Sequence, residues 1–282
     1  MKILLLGKNG MLGSQFDSRL SDLPEVELLA TDSDDLDILS FSALKKTFEF
    51  FLPEIVINCA GYTAVDEAEF KKKDAMKLNA GAVKSIARLC NEHGSRLIHF
   101  STDYVFDGRK EPPDGYLESD MPNPLSTYGE TKFKGEEFIL KEMTRGYIVR
   151  TSWLYGPDGR NFVDTMLGLD RDELNVVNNQ FGSPTYTADL ADAVINRFVV
   201  EEVDGGPETP DYGIYHLTND DFCTWYEFAV KIFELKEKRV KVHPIPSKEY
   251  RTAALRPMNS ILKNTKLPKL RNWQDALEDY LG

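Results

Sequence analysis

The sequence predicts a doubly wound α/β fold built on a parallel sheet, and three observations carry that prediction. Short, wholly apolar runs alternate with stretches of helical spacing along the first 155 residues. The first such run, residues 3–6, ends in a turn punctuated by Gly7, Gly10 and Gly13 ahead of a helical pattern. The 282 residues, 41% of them hydrophobic, suffice for one large domain or for such a domain with a small appendage.

The elements follow in order. Residues 3–6 read as a buried strand, because the run is short, apolar and closed by glycine. Helical spacing covers residues 12–20, and residues 26–30 form a second strand closed by Thr31 and Asp32. Residues 41–52 have helical spacing that Pro53 ends, and residues 55–57 form a third strand. Residues 75–92 place Ala80, Val83, Ile86, Ala87 and Cys90 on one helix face, and Gly94 stops that helix. A fourth strand (97–100), a long helix (126–142) and a fifth strand (147–150) complete the alternation. Beyond about residue 155 the pattern loosens around Gly205, Gly206, Pro207 and Pro210, with helices expected at 189–200 and 224–233 and strands at 214–217 and 240–242. Residues 1–155 are therefore expected to form a Rossmann-like NAD(P)-binding part. Residues 156–282 form a mainly substrate-binding α/β region, with an interleaved boundary.

The totals exclude several functions. A formal net charge of −12 argues against nucleic acid and anionic membrane surfaces as partners. Three cysteines (Cys59, Cys90 and Cys223) with no C-x-x-C pair argue against a disulfide framework or a structural zinc site. No apolar stretch reaches membrane-spanning length, so a cytoplasmic location is expected. His93, His99, His216 and His243 do not cluster at ligand spacing, and His99 reads as a satisfied core residue. The charged stretch 67–74 reads as a solvated helix surface.

The glycine turn has a specific physical use. Its first glycine permits a tight strand-to-helix turn, its second lets a pyrophosphate approach the backbone, and its third brings helix and sheet together. The phosphates would then sit at a helix N-terminus, where free N–H groups and the dipole favour an anion. Asp32, just after the second strand, can bond adenosine ribose hydroxyls and repel a 2′-phosphate, which favours NADH over NADPH.

Tyr128 and Lys132 stand at i and i+4 and so share one helix face. A phenol ionises near pH 10, and a neighbouring ammonium would lower that value and make it a better proton shuttle. Ser101, Thr102 and Asp103 close the fourth strand, and Asn58, Cys59, Ala60 and Gly61 follow the third. Ligands of open parallel sheets bind at those strand ends. There a Thr102 hydroxyl could polarise a substrate carbonyl, and small residues would admit a flat ring.

Together these residues resemble the extended short-chain dehydrogenase/reductase family, and within it the dTDP-4-dehydrorhamnose reductases, over nearly the whole chain. The most specific segments are Tyr62-Thr63-Ala64-Val65-Asp66-Glu67-Ala68-Glu69 and Ser101-Thr102-Asp103-Tyr104-Val105-Phe106-Asp107-Gly108. Leu36-Asp37-Ile38, Arg150-Thr151-Ser152-Trp153-Leu154-Tyr155, Gly182-Ser183-Pro184-Thr185 and Arg256-Pro257-Met258-Asn259-Ser260 extend the likeness. The resemblance implies NADH or NADPH as cofactor, held by Gly7, Gly10, Met11, Leu12, Gly13, Asp32, Asp37, Ile38, Cys59, Ala60, Gly61, Tyr62, Ser101, Tyr128 and Lys132. It implies hydride transfer to C4 of dTDP-4-dehydro-L-rhamnose, giving dTDP-L-rhamnose, with Tyr128 as proton donor, Lys132 as its tuner and Thr102 assisting at the carbonyl. Asp103 would lie beside the substrate, Trp153 would stack on its sugar, and Arg256 would meet the pyrophosphate.

Some relatives bridge subunits through a magnesium ion held by glutamates, one of them shortly after the glycine turn. This chain has Gln15 there, a weaker ligand for a hard cation, so no metal is expected and a homodimer is left open. Two other functions fit the same residues: reduction of a different nucleotide-linked 4-keto-deoxysugar, and a non-catalytic subunit resembling the regulatory partner of methionine adenosyltransferase. The joint presence of Thr102, Tyr128 and Lys132 argues against the latter.

Overall fold

The structure, a computed structural model, describes residues 1–200 and 210–282. Gly205, Gly206 and Pro207 lie outside the described residues. Six parallel strands make the central sheet: β1 (Lys2–Leu6), β2 (Glu27–Thr31), β3 (Ile55–Asn58), β4 (Arg96–Thr102), β5 (Gly146–Thr151) and β6 (Gly213–His216). Their order is β6-β5-β4-β3-β1-β2. The chain leaves β1 toward β2 and then crosses to β3 on the other side, so the switch point, where α/β sheets bind ligands, falls between β1 and β3.

Helices cover both faces, as continuous apolar strands require. Helix α1 (Met11–Ser21) buries Leu12, Phe16 and Leu20 against Ile3, Leu5, Ile55 and Ile57. Helices α2 (Phe41–Phe51), α3 (Val83–His93) and α4 (Thr127–Glu142) cover the other face, where Leu44, Phe48, Ile86 and Ile139 pack on Leu4, Leu6 and Val56. The chain returns to this sheet after residue 155. Helix α5 (Thr187–Val194) packs Leu190, Ala191 and Val194 beside α1, and β6 pairs with β5.

The remaining chain forms a second, smaller core around Tyr155, Val163, Phe228, Ile232 and Trp273, contributed in part by α6 (Trp225–Leu235) and α7 (Trp273–Leu281). Among the described residues, three two-stranded sheets surround it. Strand Glu173–Val177 and helix Phe162–Leu167, which the sequence pattern did not predict, belong here. Their strands are short and their apolar faces narrow, so period carries little signal.

Two differences from the predicted elements bear on function. The expected helix over 75–92 is interrupted by a π-helical turn at Lys77–Ala82 before α3 begins, and such turns concentrate at functional sites. Strand β4 extends to Thr102 and is followed at once by a 3₁₀ turn, Asp103–Val105.

Candidate active site

The glycine turn sits in the crevice between β1 and β3. Gly7 has φ +85°, and a Cβ there would meet Ala60 N at 2.8 Å. A Cβ on Gly13 would collide with Gly7 O, so the third glycine brings α1 down onto the turn. A Cβ on Gly10 would meet only Gly7 O, at an ordinary contact distance of 3.5 Å, which leaves the mouth of the cradle open. Gly10 is also the N-cap of α1, and among the described residues no side chain caps that end. The first-turn N–H groups, which include those of Met11 and Leu12, are thus left for an anionic ligand. These features fit a dinucleotide pyrophosphate.

Asp32 borders the cradle and accepts a hydrogen bond from Asn9 N (3.0 Å). Burial pushes its carboxyl up, but bonds from Ser33 N, Asn9 N and the Ser33 hydroxyl outweigh that and lower it, so it is ionised. Asp37 is turned to solvent and accepts from Leu39 N (2.9 Å), while Ile38 packs with Ala60 against the core beneath β1 and β3.

At the ends of β3 and β4 the small residues meet the helix α4. Gly61 leaves room for Asn79 and Lys132: its Cβ would stand 3.2 Å from Asn79 Oδ1 and 3.9 Å from Lys132 Nζ. Asn79, in the π turn, accepts from Tyr62 N (2.7 Å) and donates to Tyr62 O (3.1 Å) and Thr131 Oγ1 (3.0 Å). It therefore ties the segment after β3 to α4. Glu69 does the same from outside, accepting from Thr127 N (2.7 Å) and the Thr127 hydroxyl (2.9 Å). It belongs to the stretch read as a solvated surface, yet it secures the first turn of α4, together with Ser126, whose hydroxyl accepts from Gly129 N (3.2 Å).

Thr102, Asp103 and Tyr128 converge. The Thr102 hydroxyl donates to Asp103 Oδ1 (2.9 Å) and accepts from Tyr104 N (3.2 Å). Asp103 Oδ2 is buried without a hydrogen-bond partner among the described residues. Burial pushes its carboxyl up to about 6, and the Ser260 and Thr102 hydroxyls only partly oppose this. Burial also pushes the Tyr128 phenol up to about 12, although the Thr102 hydroxyl pulls it down. Tyr104 packs edge-on against it, with ring centroids 5.6 Å apart.

Lys132 is buried, and burial brings its amine down to about 8. It donates to Phe100 O (2.5 Å) and lies 3.3 Å from His99 Nε2. The lowering of the Tyr128 phenol expected from Lys132 is not found here. Desolvation dominates at the phenol, and the lysine is turned toward β4.

Other expected site residues are engaged elsewhere. The Ser101 hydroxyl donates to Glu136 Oε1 (2.5 Å), part of a buried network with Arg150. Cys59 borders Lys132, and burial pushes its thiol well up. Arg256 forms a fork with Asp66 (3.0 and 2.6 Å) and also donates to Ala254 O. This pair joins the segment after β3 to the C-terminal part and holds the Asp66 carboxyl down at about 2. Trp153 has φ +47°, stacks on Trp225 with centroids 3.5 Å apart, and lies against Gly182, where a Cβ would collide with the indole, so its ring is packed rather than free to stack on a sugar. Gln15 is buried and accepts from Arg19 (2.8 Å), whose guanidinium also reaches Asp192. Sequence reasoning gave no role of their own to Asn58 and Glu69 and did not single out Asn79, because an amide or acid carries no mark in the sequence of its distant partner.

Comparison with known proteins agrees with this geometry. A family model described as the RmlD substrate binding domain matches residues 1–282. The chain is 38% identical to the dTDP-4-dehydrorhamnose reductase of Aggregatibacter actinomycetemcomitans, covering 99% of this chain and 97% of that one. Among solved structures, a dTDP-4-dehydrorhamnose reductase from Clostridium acetobutylicum superposes with a TM-score of 0.92 at 42% identity, over 100% of this chain and 98% of the other. The Bacillus anthracis enzyme of the same name, in complex with NADP, gives a TM-score of 0.89 at 36% identity, over 99% and 98%. With its glycine cradle, its Tyr128 and Lys132 helix and these full-length likenesses, the chain belongs to the RmlD substrate binding domain family.

Proposed function

We propose that this chain is an NAD(P)H-dependent reductase that converts the C4 ketone of dTDP-4-dehydro-L-rhamnose into the hydroxyl of dTDP-L-rhamnose. The observation that carries the reading is the meeting of a protonated phenol, a hydroxyl and a buried lysine beside an open glycine cradle. The family's relatives bear the name of that activity.

When bound, the reduced nicotinamide supplies the hydride. The residues of the chain do the rest. Gly7, Gly10, Gly13 and the first-turn N–H groups of α1 hold the pyrophosphate, and Asp32 accepts from the adenosine ribose, favouring NADH. Cys59, Ala60, Gly61 and Tyr62 line the nicotinamide side, and Lys132 donates to its ribose. Tyr128 gives its proton to the carbonyl oxygen. A phenol pushed up to about 12 is fully protonated at neutral pH, so the donor is present in its active form. Thr102 orients that phenol, and Asp103 and Arg256 border the substrate. Arg256 shares its guanidinium between Asp66 and the pyrophosphate, and the part of the Trp153 side chain that is not buried meets the sugar.

Residues 1–155 carry most of the cofactor site and residues 156–282 most of the substrate side. We place the enzyme in the cytoplasm; no helix among the described residues is long and apolar enough to cross a membrane.

The test is the loss of reduced-nicotinamide absorbance with dTDP-4-dehydro-L-rhamnose, using NADH and NADPH in parallel. Wild type turns over, and Tyr128→Phe loses about 10²–10⁴-fold in kcat while still binding cofactor. No turnover with either cofactor, in a protein that binds both, would overturn the assignment.

A further inference from the structure

Asp66 grips Arg256 in a way that leaves one side of the guanidinium unused. Asp66 Oδ1 accepts from Arg256 Nη1 (3.0 Å), and Oδ2 accepts from Nη2 (2.6 Å). Nη1 gives its second hydrogen to Ala254 O (3.0 Å). A guanidinium carries five N–H bonds in one plane. Three are committed here. The two that remain, on Nε and Nη2, lie parallel along one edge. Nε has no partner among the described residues and is not sealed from solvent. Two parallel N–H groups on a cation form the fork that fits two oxygens of a phosphate.

The segment that carries Arg256 runs along the site at the end of β4. A Cβ on Gly108 would meet Met258 N at 2.5 Å, so the two segments touch. The Ser260 hydroxyl bonds Asp103. Burial pushes the Tyr104 phenol up and the Arg256 charge pulls it down, and Tyr104 packs edge-on against Tyr128. Asp66 stands in the helical turn Val65–Ala68, directly before the Glu69 that secures the start of α4. The same short turn therefore sets the guanidinium and the helix of Tyr128 in register.

We propose that Asp66 is a positioning residue, which takes the end of the Arg256 guanidinium so that its Nε–Nη2 edge is presented to the pyrophosphate of the nucleotide sugar. The anion is the one the reductase reading supplies, so the proposal rests on that reading. An arginine already held in place loses less freedom when the phosphate arrives. Asp66 itself repels a phosphate, so charge and positioning predict opposite effects of removing it.

The test is titration calorimetry of the full chain with dTDP. Asp66→Asn keeps an oxygen for Ala254 N (2.9 Å) and Nη1, but sets an amide donor against Nη2 and tilts the guanidinium. Binding of dTDP should weaken roughly tenfold, and Arg256→Met should weaken it roughly 10–100-fold. The double variant Asp66→Asn/Arg256→Met should be no weaker than Arg256→Met alone, because Asp66 acts only through the arginine. A purely structural Asp66 would add its own loss in that background. Affinity for NADH, whose cradle lies at β1 and α1, serves as the control for folding and should hold in every variant.

Arg256→Lys keeps a cation for Asp66 but has no second edge, and decides the matter if Asp66→Asn does not fold. It should lose dTDP affinity as Arg256→Met does. Unchanged or tighter dTDP binding in Asp66→Asn, a further loss in the double variant, or wild-type affinity in Arg256→Lys would each overturn the proposal. A wild type that binds dTDP without turnover would fail the reductase reading and leave the positioning role standing. A wild type that binds no dTDP would overturn both.

Discussion

Replacing Glu136 by Gln removes one charge from a buried pair and leaves Arg150 behind. Glu136 and Arg150 are both essentially inaccessible, at 0% and 1%. Their two hydrogen bonds are 2.9 and 2.6 Å long, with Ser101 as third donor to the carboxylate and His216 beside the guanidinium at 3.4 Å. An intact pair of this kind adds little net stability, because desolvation offsets the attraction. Breaking it is different: an uncompensated buried guanidinium costs about 3–5 kcal/mol. With a urea m-value of about 3 kcal/mol/M, the midpoint falls by roughly 1–2 M. The pair bridges α4 and β5, so both the catalytic helix and the sheet lose their anchor. The assay is equilibrium urea unfolding at pH 7, followed by tryptophan fluorescence and far-UV circular dichroism together. The double variant Glu136→Leu/Arg150→Met should be at least about 2 kcal/mol more stable than the sum of the single losses, since it leaves no buried charge unpaired. A loss under about 1 kcal/mol in Glu136→Gln would refute the reasoning, because the pair would then be open to water.

The glycine cradle and the buried acid make two further predictions. Gly10→Ala should fold like wild type, because its Cβ has only Gly7 O at 3.5 Å, yet bind NADH and NADPH more weakly in a fluorescence titration, whereas Gly13→Ala should lower the unfolding temperature. Asp103 is raised in the folded state to about 6, so the folded protein binds more protons than the unfolded chain between about pH 4 and 6. Its contribution therefore falls as pH rises through that window, by up to about 3 kcal/mol. Asp103→Asn should flatten this slope in urea melts from pH 4 to 7 and be the more stable protein at pH 7.

The order of strands and helices through residue 151 was legible because each strand carries a short apolar run and each covering helix an apolar stripe. The glycine turn and the i, i+4 pair were legible for the same reason: their chemistry depends on local spacing, which a linear sequence preserves. The family likeness pointed to Thr102 and Asp103 through an unusually specific string, and the structure brings both to Tyr128.

Only the tertiary structure decided what these groups meet. The sequence alone determined that Tyr128 and Lys132 share a helix face; the fold turned Lys132 toward Phe100 O and His99 and left the phenol high. It set Asn58 and Lys132 on either side of His99, residues 41 and 33 positions away. It gave Glu69 to the start of α4 and Arg256 to Asp66, across 58 and 190 positions. Hydrogen-bond partners of this kind are fixed by sheet order and helix packing, and no period in the sequence records them.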